Sequence, residues 1–331
     1  MSLAPARFPI SLSTIPLGSE LTALTAVGLI GALGYVVFPD DLAFLTRLIS
    51  ITLLVLSLDL VTGYCGVATL GQAALFGVAA YAAGNACIAG LANPFLLLIA
   101  GMLAGVVTGI LSGLLIARFR GLQQLVLSIA CGELIAALAN KLTPWTGGSD
   151  GLSGVTPAPV FGVFHFDLYG RTPYWLSVGT LAIIMAALAA FARSPFSLTC
   201  EAIRDDDLRA RMIGLAVYPR LVAMYAVSGA VAGAGGALSA ITTGVVGLDS
   251  VSFERSAEVL VMLVLGGAGR LWGALMGAIL FQVFEHYVTT SNPYSWLALV
   301  GLMLIAIVVF APGGLKRGVD LARRRWTRGR V

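Results

Sequence analysis

Residues 201–215 read EAIRDDDLRARMIGL and carry seven charged side chains in fifteen positions, in a chain of 331 residues that is only 11% charged. A segment of that composition does not cross a bilayer, because a charge at its centre costs about 2.5–3.5 kcal/mol on insertion scales. Its spacing nevertheless suits a helix: Leu208, Met212 and Leu215 fall on one face, at i, i+4 and i+7. The stretch therefore reads as a short surface helix offered to a partner. The sequence on either side is apolar, so the contrast decides the fold: oily spans, with one charged element held outside them.

Hydrophobic residues make up 58% of the chain, with 40 glycines and a mean hydropathy of +0.95, whereas about a quarter of the residues in an ordinary soluble domain are charged. This is the composition of an all-α polytopic membrane protein. Runs of about 20 apolar residues span a bilayer core as helices, and they fall at 21–38, 42–62, 70–90, 94–117, 121–141, 173–192, 218–241, 271–290 and 295–311, with a shorter one at 256–268. These predict about ten transmembrane helices. The runs are continuous and lack the period-two alternation of a membrane barrel, so strands are not expected.

The net charge of +4 does not point to nucleic acid, because the 20 basic residues form no groove with stacking aromatics. They mark topology. Seven lie after Ala311, five lie within 193–220, and Arg118 and Arg120 share a tight turn. The positive-inside rule places all three regions in the cytoplasm. Ten crossings then close the count, with both termini inside and the 142–172 and 242–255 loops outside. The domain plan is a cytoplasmic segment 1–20, a transmembrane domain 21–311 and a basic cytoplasmic tail 312–331. The transmembrane domain includes an outer loop at 142–172 and a charged cytoplasmic segment at 193–217. The first twenty residues lack a compact signal-peptide core, so the first span is expected to be retained.

Two stretches interrupt the apolar runs: TGYCGVATLGQAALFG at 62–77 and LGGAGRLWGALMG at 265–277. They align loosely, Gly66, Leu70, Gly71 and Gly77 with Gly269, Trp272, Gly273 and Gly277, which predicts two loosely repeated halves with broken helices. Paired interruptions of this kind mark either helices broken around a path or close packing by small residues, and both can hold. Gly105, Gly109 and Gly113, with Gly229 and Gly233, are small-residue packing runs. Asp59, Glu133, Glu258 and Glu285 lie in or near spans and must face protein or water. Each fits a path contact or a helix–helix lock.

Catalytic readings are excluded on context. Gly147-Gly148-Ser149-Asp150-Gly151 matches G-x-S-x-G, but a nucleophile elbow needs a strand before it and a helix after it. The two histidines, His165 and His286, do not suit a triad. Cys65, Cys87, Cys131 and Cys200 show no metal-ligand spacing and read as small apolar residues. Neither lysine, Lys141 nor Lys316, follows the G-x-x-x-x-G-K-[ST] pattern. If ATP drives this chain, another polypeptide hydrolyses it, and the charged helix at 201–215 supplies a handle through which that engine can push.

Taken together, the fragments GYCGVATLGQAALFGVAAYAAG (63–84), GELI (132–135), TGGSDGLSGV (146–155), AIRDDDLRARMIGL (202–215), SGAVAGAGGAL (228–238), SAEVLVMLVLGGAGRLWGALMGA (256–278) and APGGL (311–315) carry a family resemblance. The chain resembles the M-type permease subunits of the Liv branched-chain amino acid ABC importers, over nearly its whole length. The resemblance implies a bacterial inner-membrane importer. Its partners would be a second, H-type permease subunit, two ATP-binding subunits holding ATP and Mg, and a periplasmic substrate-binding protein. No cofactor is expected in this chain itself. The segment matching 202–215 would dock on the ATPase, with Arg204, Asp205, Asp206 and Gly214 as contacts. Gly63, Gly66, Thr69, Gln72 and Glu258 would line the translocation path. Thr146, Gly147, Gly148, Ser149, Asp150 and Gly151 either receive the binding protein or form a tight loop. Two departures stand out against the family pattern: Asp59 replaces the usual asparagine, and Arg270 replaces a small polar residue. Urea, short-amide and aromatic-acid importers share this permease family and remain alternative cargoes, and a secondary transporter or channel working without ATP is a further alternative.

Overall fold

In the computed structural model, residues 18–38, 41–160, 164, 170–291 and 301 are described. The apolar runs that fall there are helical: α1 (Gly18–Val37), α2 (Leu42–Leu58), α3 (Gln72–Ile88), α4 (Pro94–Ile116) and α5 (Leu122–Lys141) come first. The short α6 (Thr143–Thr146) precedes α7 (Arg171–Phe191), and α8 (Pro195–Asp205) and α9 (Asp207–Met212) precede α10 (Val217–Thr243), α11 (Phe253–Gly266) and α12 (Leu271–Ser291). Six of these segments are long and apolar enough to cross a membrane, and α3 and Leu24–Val37 are shorter apolar helices. The run at 295–311, the tail 312–331, His165 and most of the 1–20 segment lie outside the described residues.

Glycine places α10 at the centre. Gly229 and Gly105 approach so closely that a Cβ on either would strike the other's carbonyl oxygen, and Gly101, Gly109 and Gly113 of α4 meet Ala237, Tyr225 and Val222 along the same antiparallel seam. The opposite edge of α10 uses Gly235 against Ser50 and Leu53 of α2, and Gly236 against Phe76 of α3. In lipid there is no hydrophobic drive to bring helices together, so close backbone approach and dispersion do that work. The outer face of α4 shows the complement: Leu103, Val107 and Leu111 are exposed, as suits side chains bathed in lipid.

The same device closes the periphery. Gly31 of α1 sits against Val178 of α7, and Tyr174 donates to the Gly31 carbonyl at 2.6 Å. In the α11–α12 hairpin, Gly273 and Gly277 abut Gly266.

One feature departs from an all-helical expectation. Leu152–Ser153 and Val245–Val246 form a two-residue antiparallel ladder, with Leu152 opposite Val246. It joins the 142–172 loop to the 242–255 loop, and charge placed both on the same side. On the other side, Arg120 of the basic turn reaches Asp207 of α9 at 3.0 Å, so two of the three basic regions also share a face.

Candidate functional site

After Leu58 the helix widens into a π-helical turn, Asp59–Tyr64. Val67 N–H reaches the Val61 carbonyl, and the Thr62 hydroxyl donates to the Val67 carbonyl at 3.0 Å. The chain then runs without helix to Gly71. The second interruption lies between α11 and α12, at residues 267–270. The two breaks touch. A Cβ on Gly63 would collide with the backbone of Gly269 and with the Asp59 carboxylate. Gly66 and Gly269, aligned in the sequence, share left-handed backbone, with φ of 68° and 83°.

Asp59 is fully buried and accepts a hydrogen bond from Gly269 N–H at 2.6 Å. Gly269 stands just before α12, where N–H groups lack helical partners and the helix dipole favours an anion. The carboxylate of one broken segment therefore caps the start of the other. Arg204, from the charged α8, completes the junction: its guanidinium donates to the Gly63 carbonyl, and its aliphatic stem lies against Gly66. Three elements distant in sequence converge on one point, and one of them belongs to the charged segment 201–215.

That segment is two helices where the spacing predicts one. Ser194 caps α8 through Ser197 N–H, and Pro195 opens it. Asp206 then adopts extended backbone, φ −159°, and its side chain accepts from Arg209 N–H, starting α9. Three consecutive aspartates offer the chain an N-cap in mid-segment, and Asp206 uses it. Gly214, at φ 85°, ends α9: Gly214 N–H bonds the Arg211 carbonyl and Leu215 N–H the Ala210 carbonyl, which is a Schellman ending. Asp205 points outward with its side chain 78% exposed. Leu208 and Met212 of α9 and Ile213, which caps it, are 70%, 85% and 75% exposed.

The five path candidates do not gather at one place. Gly63 and Gly66 sit at the junction. Thr69 is buried and accepts from Gly71 N–H. Gln72 is buried and donates to the Ser57 carbonyl and to the Ser228 hydroxyl, which itself donates to the Ser57 carbonyl at 2.8 Å, locking α2, α3 and α10 together. Glu258 lies toward the far end of α11, paired with Arg255 at 2.8 Å. Sequence reading missed Ser57 and Ser228, whose only signal was a small polar residue amid apolar neighbours. Arg270 is exposed.

The Thr146–Gly151 block is a folded turn. The Thr146 hydroxyl donates to the Leu142 carbonyl at 2.9 Å and accepts from Gly148 N–H. Gly147, Gly148 and Gly151 all have positive φ, which leaves Ser149 and Asp150 exposed at the tip. A helix precedes this block, so it has no nucleophile-elbow context.

Comparison with known proteins follows the same lines. A family described as branched-chain amino acid transport system / permease component matches residues 42–308, well over half of the chain. Over 298 residues the sequence is 30% identical to the high-affinity branched-chain amino acid transport system permease protein LivM of Escherichia coli, covering 83% of this chain and 69% of that protein. It is 29% identical over 298 residues to the protein of the same name from Salmonella typhimurium, with the same coverage of 83% and 69%. No solved structure matches the chain significantly.

Proposed function

The chain belongs to the permease components of branched-chain amino acid transport systems, and from that membership we propose that it forms the path by which an ABC importer moves branched-chain amino acids. It is a permease, not an enzyme. In this reading two loosely repeated halves cross the bacterial inner membrane ten times, 295–311 being the tenth crossing. Both termini and the 193–217 segment face the cytoplasm. An H-type permease pairs with it, two ATPase subunits binding ATP and Mg dock beneath, and a periplasmic binding protein delivers substrate at the Thr146–Gly151 end. The Leu152–Val246 ladder supports a shared outer side for the two loops, and the Arg120–Asp207 pair supports a shared inner side for the basic regions.

The observation that carries this reading is the bond from Arg204 to the Gly63 carbonyl. A push on α8 and α9 by an ATPase reaches the touching breaks directly, and their separation or rotation opens the path. A path lined by small and aliphatic residues suits a zwitterion with an aliphatic side chain, because half-helix ends meet its charges without fixed ions.

Arg204 is occupied inward, so the docking face comprises Asp205, Leu208, Met212 and Ile213. Charges there set register and apolar side chains supply affinity. The double variant Asp205→Arg/Met212→Asp is expected to lose at least about 2 kcal/mol of docking energy, the scale of one interface hot spot. Co-purification of the ATPase subunits should disappear while the permease keeps its melting profile. Retention of the ATPases at wild-type stoichiometry would remove this face from the interface. Binding of urea, amides or aromatic acids, but not leucine, by the cognate binding protein would change the cargo and leave the machinery standing.

A further inference from the structure

At the end of the bundle away from the coupling segment, a cavity of about 130 Å³ opens between α2, α11 and α12. Phe44, Arg47 and Ile51 line it from α2 and Gln282, Glu285, His286 and Thr289 from α12, each set at the i, i+3/i+4, i+7 spacing of a single helix face. Arg255 closes one side and pairs with Glu258 at 2.8 Å, and its field reaches Glu285 as well.

Arg47 and Glu285 are different. Both border the cavity and lie within electrostatic range of each other, yet neither forms an ion pair or hydrogen bond among the described residues. A positive and a negative group thus share a small cavity, held apart by more than the 4.0 Å of an ion pair. Beside them the wall is apolar: Ile51 is buried, and Phe44 stacks on His286 with ring centroids 4.1 Å apart. Arg47 is exposed and Glu285 half-buried, and the spacing of α2 from α12 is held by the Gln282 side chain, which donates to the Leu48 carbonyl at 3.3 Å.

We propose that this cavity is a binding station for a zwitterionic amino acid at the outer mouth of the permease. Arg47 takes the α-carboxylate, Glu285 takes the α-ammonium, and an aliphatic side chain lies against Phe44 and Ile51. The guanidinium fork matches a carboxylate bidentately, and the Glu285 carboxylate accepts from the ammonium. The proposal rests on the import reading given above and adds to it a place where released substrate pauses before the path opens. At the roughly 30 Å³ that a water takes in the liquid, the cavity has the volume of about four waters, which is room for one small amino acid.

The test uses the purified permease–ATPase complex with the binding protein omitted. Saturation-transfer NMR compares L-leucine with 4-methylpentanoate, which lacks the ammonium, and 3-methylbutylamine, which lacks the carboxylate. Wild-type complex should bind leucine at least about tenfold more tightly than either analogue, as expected for one lost hydrogen bond to a charged group. Arg47→Gln should erase the advantage of leucine over the amine, and Glu285→Gln its advantage over the acid. A residue needed only for folding would not change ligand preference at one end alone. The proposal is overturned if both variants keep the wild-type preference, if either analogue binds as well as leucine, or if leucine does not bind. Displacement of leucine by an equal concentration of glycerophosphoethanolamine would also overturn it, assigning the site to a lipid headgroup. ATP-driven leucine uptake by the same preparation, with binding protein restored, reports separately on the import reading. Uptake without cavity binding sinks only the station.

Discussion

Alanine at position 63 should abolish transport while leaving the ATPase subunits bound. The single added methyl would occupy space held by the Gly269 backbone and the Asp59 carboxylate, neither of which is the free end of a flexible side chain. Overpacking of this kind costs about 1–3 kcal/mol. Prising the two breaks apart also removes the acceptor of Arg204 and the N–H donor to Oδ1 of Asp59, each a hydrogen bond to a charged group and so about 1.5–3 kcal/mol. Leucine uptake by the reconstituted complex should fall at least about a hundredfold, because roughly 3 kcal/mol of coupling is lost. The α9 face is untouched, so ATPase co-purification should remain. Uptake near the wild-type level would show that the junction transmits nothing.

Valine at position 229 should have the largest effect on the fold. Gly229 of α10 meets the Gly105 carbonyl and the Gly109 Cα of α4, so a branched side chain must displace an entire helix. The loss should reach about 3 kcal/mol or more, seen as collapse of the melting transition and of the amount recovered from membranes. Gly179→Ala on α7 is the matched control, because a Cβ there meets nothing, and it should melt with the wild type.

These two glycines differ in how far the sequence revealed them. Gly229 belongs to a run of small residues at four-residue spacing, and that spacing is itself the geometry of close helix packing, so its role could be read directly. The same holds for the helix positions, since continuous apolar runs leave few alternatives in a membrane. Gly63 could be read only as part of an interruption, because its neighbour Gly269 is brought to it by tertiary structure. Arg204 looked like an outward charge in a charged segment, yet it bonds a backbone carbonyl, and such acceptors leave no mark in sequence. The split of 201–215 at Asp206 escaped for a related reason: three adjacent aspartates offer equivalent caps, and only the packed helices choose one. The Arg255–Glu258 pair, by contrast, is an i, i+3 pair visible in the sequence. Reading Glu258 alone as a path residue overlooked the arginine one turn earlier.

Asp59 combines both situations. Its position beside the break was visible, but its partner is the N–H of Gly269, 210 residues away. The broken helix end supplies one oxygen of this buried carboxyl with a donor that an intact helix would have consumed, and the other oxygen is left without a partner among the described residues.

The claim on which the rest depends is that this chain is a passive gate, moved from the cytoplasm by a separate ATP-hydrolysing subunit acting on residues 201–215. The decisive measurement is L-leucine uptake into vesicles containing this chain with its partner permease, with the ATPase subunits and ATP first withheld and then supplied alongside the binding protein. The account predicts no accumulation in the first state and ATP-dependent accumulation in the second. Accumulation in vesicles without ATPase or ATP would contradict it.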